Sequence, residues 1–376
     1  MAIVCALCVL CGLSQNARRI ITGGEHALNE DDKDAAKLLE NIGVSSAPRS
    51  FSPAEMLTCA VCLRANPPTR TGCLYCGGAL PVSAASANSQ RPTLRPLEKW
   101  ERGYNTILAP HQAVRFNEES LIEIAGMLRL DAADLKRILE TDEALPLCRA
   151  ATFEEASLVE RGLNALGLRA LTVSDEELRE EALTPRRVRA AVLTEETLVL
   201  HPTGGGEPHA LNWSDVLLLL AGRLMVRKVA SEERQGRKKG GSENEIINAS
   251  ETYADEALLD IYSPDAGWRI AANHFDFSCL GQQKGLMAAE NFRTLVSLMR
   301  ARATVATYDD SFTRVRHALA FVWKPEQNVE ARSLKRERPG KYSTEILTTS
   351  DNEAQFTRYA LLRHYLLSQG HTDTST

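Results

Sequence analysis

The residues best suited to chemistry are four cysteines in one short window. Cys59-Ala-Val-Cys62 and Cys73-Leu-Tyr-Cys76 are two C-x-x-C pairs with ten residues between them. In each pair two thiols flank a tight turn whose backbone amides point at the sulfurs. Two such turns deliver four soft ligands in a tetrahedron, which suits zinc at about 2.3 Å per Zn–S bond. Cys59, Cys62, Cys73 and Cys76 would fill the coordination sphere and leave no position for water or substrate, the mark of a structural site. Gly77 supplies the permissive backbone a ligand turn needs, and Leu80 can pack below the metal.

The stretch Cys59-x2-Cys62-Leu-Arg-Ala-Asn66-Pro67-Pro-Thr-Arg-Thr-Gly-Cys73-Leu-Tyr-Cys76-Gly77-Gly-Ala-Leu80 resembles the small zinc ribbons of many bacterial proteins, including the double zinc ribbon proteins. Those share the ten-residue gap, an Asn-Pro within it and C-x-x-C-G-x-x-L at its close. The resemblance covers residues 57–81. It departs from the pattern at Leu63, where Gly is common, and in having one ribbon instead of two. It implies a zinc-held interaction module without catalytic activity. A rubredoxin-like electron carrier binds iron with the same ligand set. Such proteins carry a longer, aromatic-rich insert, whereas the insert here has no aromatic residue.

The other cysteines form no framework. Nine in total is an odd number, Cys148 and Cys279 stand alone, and Cys5, Cys8 and Cys11 crowd the N-terminus. Free C-x-x-C pairs suit a reducing compartment, so a cytoplasmic location is expected. The apolar residues 1–13 have no Lys or Arg before them, and Arg18-Arg19 come after, the reverse of a secretory signal. Residues 1–55 read as a poorly ordered extension, with Met56 a possible true start. Cys148 lies in an expected strand and reads as a buried structural thiol.

No catalytic motif emerges. The eight histidines are scattered, and none forms H-E-x-x-H; there is no G-x-S-x-G elbow, Walker motif or dinucleotide fingerprint. Gly204-Gly205-Gly206 is followed by Glu207-Pro208, which reads as a turn and not as a phosphate loop. His274, Asp276 and Cys279 are close in sequence. An expected strand over Phe275–Leu280 would place His274 and Asp276 on the face opposite Cys279, so nucleophile and base would point apart.

These residues are carried by a chain of 376 residues with 44% hydrophobic and 25% charged residues, long enough for several folded domains. The net charge of −5 excludes a globally basic nucleic-acid binder, and no apolar run approaches a membrane span. The expected fold class is multidomain α+β. Residues 56–81 form the ribbon, and the small, polar, proline-bearing residues 82–97 form a flexible linker. Over residues 98–182 the periodicity predicts a βααβαβ domain. Its element order resembles the C-terminal domain of the bacterial ribosomal stalk protein and the Clp protease adaptor, which implies docking to proteins. Over residues 183–305 seven strands and a helix carrying Phe292, Leu295, Val296 and Met299 resemble a pleckstrin-homology-like barrel. Ser231–Asn248 reads as an exposed loop, and residues 306–376 as a helical tail. Between Arg314 and Lys341 that tail has eight Lys or Arg against three Glu, a stretch able to meet nucleic acid, the ribosome or an acidic headgroup.

The sequence therefore predicts a non-catalytic zinc-ribbon adaptor that binds protein partners, with a nucleic-acid or ribosome-associated protein as one alternative and a rubredoxin-like iron electron carrier as the other. Elemental analysis should find one zinc per chain in colourless protein. Visible absorption from iron–thiolate bonds, or the absence of stoichiometric metal, would refute the zinc site.

Overall fold

The computed structural model describes residues 51–80 and 94–370, apart from 71, 79, 99, 111–115, 179–182, 239–240 and 339–340. The expected extension over residues 1–55 lies outside the described residues as far as residue 50, as do Cys5, Cys8, Cys11 and residues 82–93 of the expected linker. Two short antiparallel strands, β1 (Leu57–Thr58) and β2 (Ala65–Asn66), come first. Leu94 corrects the linker boundary. It is buried in the main core, and its backbone N–H donates to Glu155 at 2.7 Å, so the folded body begins there.

The βααβαβ order is present. β3 (Tyr104–Leu108) is followed by α1 (Glu118–Leu128), α2 (Ala132–Leu139), β4 (Pro146–Ala150), α3 (Phe153–Ala165) and β5 (Ala170–Ser174). β3 lies in the middle, antiparallel to both β4 and β5. Asn117 caps α1 and Thr152 caps α3, each accepting from an amide in the first turn. On α1, Ile124, Ala125 and Leu128 are buried, while Ile122 points to solvent. Asp175 locks the ends of the strands together by accepting from Gly103 N, Asn105 Nδ2 and the Arg149 guanidinium. Burial alone would raise the Asp175 carboxyl, but these donors outweigh it and hold the group below its usual range.

The rest of the body is one large curled sheet, in correction of the expected barrel plus helical tail. Its strands are β6 (Arg186–Leu193), β7 (Thr197–Pro202), β8 (His209–Asn212), β9 (Leu218–Lys238), β10 (Gly241–Tyr262), β11 (Gly267–Ala271), β12 (Thr307–Asp309), β13 (Glu326–Arg338) and β14 (Lys341–Asp351). The spatial order is β13-β14-β9-β10-β11-β6-β7-β8, with β12 parallel beside the start of β9. β8 and β13 end this path unpaired with each other among the described residues, so the sheet is a half-barrel. The expected loop Ser231–Asn248 instead continues β9 and β10 as a long hairpin, and the basic stretch of the tail is mostly strand. Three helices complete the chain: α4 (Ala288–Arg302), α5 (Phe312–Leu319) and α6 (Glu353–Ser368).

The continuous apolar run Leu217-Leu218-Leu219-Leu220 is explained by burial of the sheet on both faces. Leu218, Leu220, Leu258 and Tyr262 join the core formed with α5, α6 and the βααβαβ layer. Leu219, Leu259, Ile261, Trp268 and Ile270 join a second core closed by Phe292, Leu295, Val296 and Met299 of α4. The expected stripe of that helix is thus the packed one. Gly222 has no side chain because a β-carbon there would collide with Phe356 and press on Phe312.

Within the first core lies a fully buried ion pair. Arg269 of β11 donates Nε and Nη2 to the two carboxylate oxygens of Asp260 on β10, both at 2.7 Å, with exposures of 3% and 0%. The guanidinium also reaches Glu353 Oε1 at 3.1 Å and Thr357 Oγ1 at 3.0 Å, and lies over the Phe356 ring. Burial pushes the Asp260 carboxyl up while Arg269 opposes it. Removing one partner strands a charge in an apolar core. Asp260→Asn is therefore expected to cost about 3 kcal/mol in chemical denaturation, and Asp260→Leu combined with Arg269→Met to cost less than the single change.

Candidate metal centre

The four predicted cysteines come together. Cys59 Sγ lies 3.6 Å from Cys76 Sγ, Cys62 Sγ lies 3.5 Å from Cys73 Sγ, and all four sulfurs are within 4.8 Å of one another. A tetrahedron with 2.3 Å arms has edges of about 3.8 Å, so the observed separations fit a single metal ion.

The two turns repeat one hydrogen-bond plan. Leu63 N donates to Cys59 O at 2.9 Å, and Gly77 N donates to Cys73 O at 3.0 Å. Cys59 N donates to Arg64 O at 3.0 Å, as Cys73 N does to Gly78 O at 2.8 Å. The equivalent fifth residues, Leu63 and Gly77, both take left-handed backbone, with φ of 59° and 75°. Glycine adopts this conformation freely, whereas leucine is strained in it. That is the physical content of the departure at Leu63.

Asn66 joins the two turns and is the functional residue to which the sequence reading gave no role. It is fully buried. Its Nδ2 donates to Cys73 Sγ at 3.4 Å and to Arg64 O at 2.8 Å, while its Oδ1 accepts from Leu74 N at 2.8 Å. Leu80 is buried against Cys59 and Cys73, as expected. The Asn-Pro within the gap was the available signal, since a polar residue between two ligand pairs has sulfur and amide groups to satisfy.

The electrostatics follow from this plan. Burial alone would raise the Cys73 thiol. The amides of Tyr75 and Cys76, with Cys62 and Asn66, overcome it and hold the group at about 6. Cys59 is lowered chiefly by the Cys62 amide. At Cys76 the Gly78 amide favours the thiolate, but the three neighbouring sulfurs and burial outweigh it and push the group up to about 12. Four clustered sulfurs resist full ionisation together, and a bound cation relieves that repulsion. The donor set and its amides fit a metal ion.

The other candidates do not assemble. His274 Nδ1 lies 3.2 Å from Glu256, and Asp276 accepts from Ser278, turned away by two 3-10 segments, Ala272–His274 and Phe277–Gln283, where a strand was expected. Cys279 is half-buried with its thiol raised by burial. Cys148 is buried and pushed up to about 12, as a structural thiol should be. Gly204 and Gly205 have positive φ in the turn joining β7 to β8. In the basic stretch Arg314 is held by Glu143 at 2.5 Å, and Arg316 lies against Met225. A cleft of about 530 Å3 beside Leu94, Arg129, Cys148, Trp323 and Gln355 opens between the βααβαβ layer and α6. No helix among the described residues is long and apolar enough to cross a membrane.

Comparison with protein-family models, curated proteins and solved structures gives no match for this chain.

The strain at Leu63 is testable because its side chain is 78% exposed and contributes little packing. Leu63→Gly should relieve about 1 kcal/mol and tighten Zn2+ binding about fivefold, as measured by competition with a chelating dye. Weaker binding would show that the leucine itself supports the turn.

Proposed function

We propose that this chain is a non-catalytic adaptor in which a structural zinc ion holds a small ribbon for recognition of a protein partner. The reading rests on one observation: the sulfurs of Cys59, Cys62, Cys73 and Cys76, enough to fill a tetrahedral site, lie within 4.8 Å of one another, while the side chains at the tips of the turns face solvent. Val61, Leu63, Leu74 and Tyr75 are all exposed, and Arg64 lies over the Tyr75 ring with its guanidinium carbon 4.7 Å from the centroid. When bound, zinc supplies rigidity and charge neutralisation and no reactive site. The tips are then presented with little ordering cost on binding. Arg64, Arg70 and Tyr75 give the partner a cationic and aromatic surface to read. Reduced thiols of this kind accord with a cytoplasmic location.

A nucleic-acid role through residues 314–341 is the weaker reading. The basic residues are divided among α5, the connection after it, β13 and the first position of β14, and Arg314 is committed to Glu143. A phosphate track needs cations on one accessible face.

The ribbon has its own small core of Cys59, Cys73 and Leu80, separate from the two cores of the body. Structural zinc contributes about 10–16 kcal/mol of apparent binding energy, and that energy folds the module that holds it. Replacing Cys73 and Cys76 by Ser should therefore unfold the ribbon and abolish partner binding there. The main thermal transition should stay within about 5 °C of the parent. A larger drop would make the ribbon part of the body's cooperative unit. Retained partner binding with an intact body would refute recognition through the ribbon.

A further inference from the structure

Beyond the body, β9 and β10 run on as a long hairpin, and β13 and β14 pair alongside it, so four strands in the order β13-β14-β9-β10 form an arm. The strand register fixes which residues share each face. Leu219 and Ala221 of β9 belong to the second core, and the same alternation continues outward to Val229. Cross-strand partners then place Thr348 and Val329 beside Val229, Ile346 and Ala331 beside Ser231, and Ile246 beside Glu233. The opposite face is more polar, carrying Lys228, Glu232, Asn248, Ser250, Asn328 and Thr349 beside Val226, Ala230 and Leu347. Such one-sided alternation marks a sheet with one packed and one solvated face. Here the apolar face is open: Ile246 is 64%, Tyr253 63% and Val329 64% exposed.

We propose that this face is a dimer interface, covered by the same face of a second copy of the chain. Two features select that occupant. The first is charge. Arg223 is paired with Asp255 at 2.7 Å and Arg227 with Glu251, all on this face. These internally neutral pairs let two copies meet there without like-charge repulsion, and leave neither Arg223 nor Arg227 free for an anionic polymer or lipid. The second is area. The ten-residue overlap of β14 with β9, four strands wide, spans about 33 by 19 Å, or about 600 Å2. Two copies bury about 1,200 Å2, the lower bound for a stable specific interface. The sheets stack about 10 Å apart, with Val229 and Ile346 at the centre, Val329 on the outer strand and the ion pairs toward the body.

Sedimentation velocity on the full chain, over about 1 to 100 μM so as to span a micromolar dissociation constant, is expected to show a dimer. Val329→Lys and Ile346→Lys should each convert it to monomer. Asn328→Lys, beside Val329 on the opposite face, should leave it dimeric. Circular dichroism confirms that each variant is folded; should Ile346→Lys not fold, Val329 on the outer strand still carries the test. A parent chain that is monomeric throughout overturns the proposal, and so does a dimer that survives Val329→Lys.

Discussion

Arg269 and Asp260 meet inside a sheet that is covered on both sides, and neither charge is tolerable there without the other. The carboxylate on β10 and the guanidinium on β11 fix the register of two neighbouring strands. Two further donors of Arg269 go to Glu353 and Thr357 in the first turns of α6. Glu353 also reaches Arg187 at the start of β6. One charged cluster thus ties three strands to the last helix of the chain. The nearby apolar contacts, Phe356 with Phe312 and Phe312 with Tyr359, pack around a geometry those hydrogen bonds already define. Apolar packing alone accepts many arrangements of similar energy, whereas a buried bidentate pair accepts one.

The ribbon is held together on another basis. Three buried side chains make too small a core to fix two loops. Backbone amides aimed at sulfur and the Asn66 bridge take over that task. Body and ribbon therefore answer to different variables. The body depends on burial and on internal charge pairing, and the four-cysteine segment on its sulfur–amide hydrogen bonds and the reduction state of its thiols.

What was legible in the sequence was local. The clustering of the four cysteines follows from their spacing alone, and the βααβαβ order follows from periodicity within single elements. Phe292, Leu295, Val296 and Met299 were identifiable as a buried face because helical periodicity needs no knowledge of the partner. The outer halves of β9 and β10 were hidden. Ser231–Asn248 is rich in Glu, Arg, Lys and Gly, which reads as loop because those side chains need not be buried. These residues are strand because β14, more than a hundred positions away, completes the sheet beside them. The same long-range pairing dissolved the expected boundary at residue 305. Asn66 was visible as a residue but not as a bridge, since its partners depend on how the two turns face each other.

The place of β14 has a consequence for how the chain is made. One edge of β9, from Val226 to Gln235, is closed only by residues 342–351. At roughly 5–20 residues per second, a ribosome needs on the order of 5 to 25 s to make the intervening chain. Throughout that interval the hairpin of β9 and β10 has an open hydrogen-bonding edge, and α6 is not yet present to cover Gly222 and its neighbours. Translation of the last strand and helix therefore completes the fold. A nascent chain stalled before residue 342 presents a long unpaired strand edge, the feature that chaperones shield and that aggregation exploits.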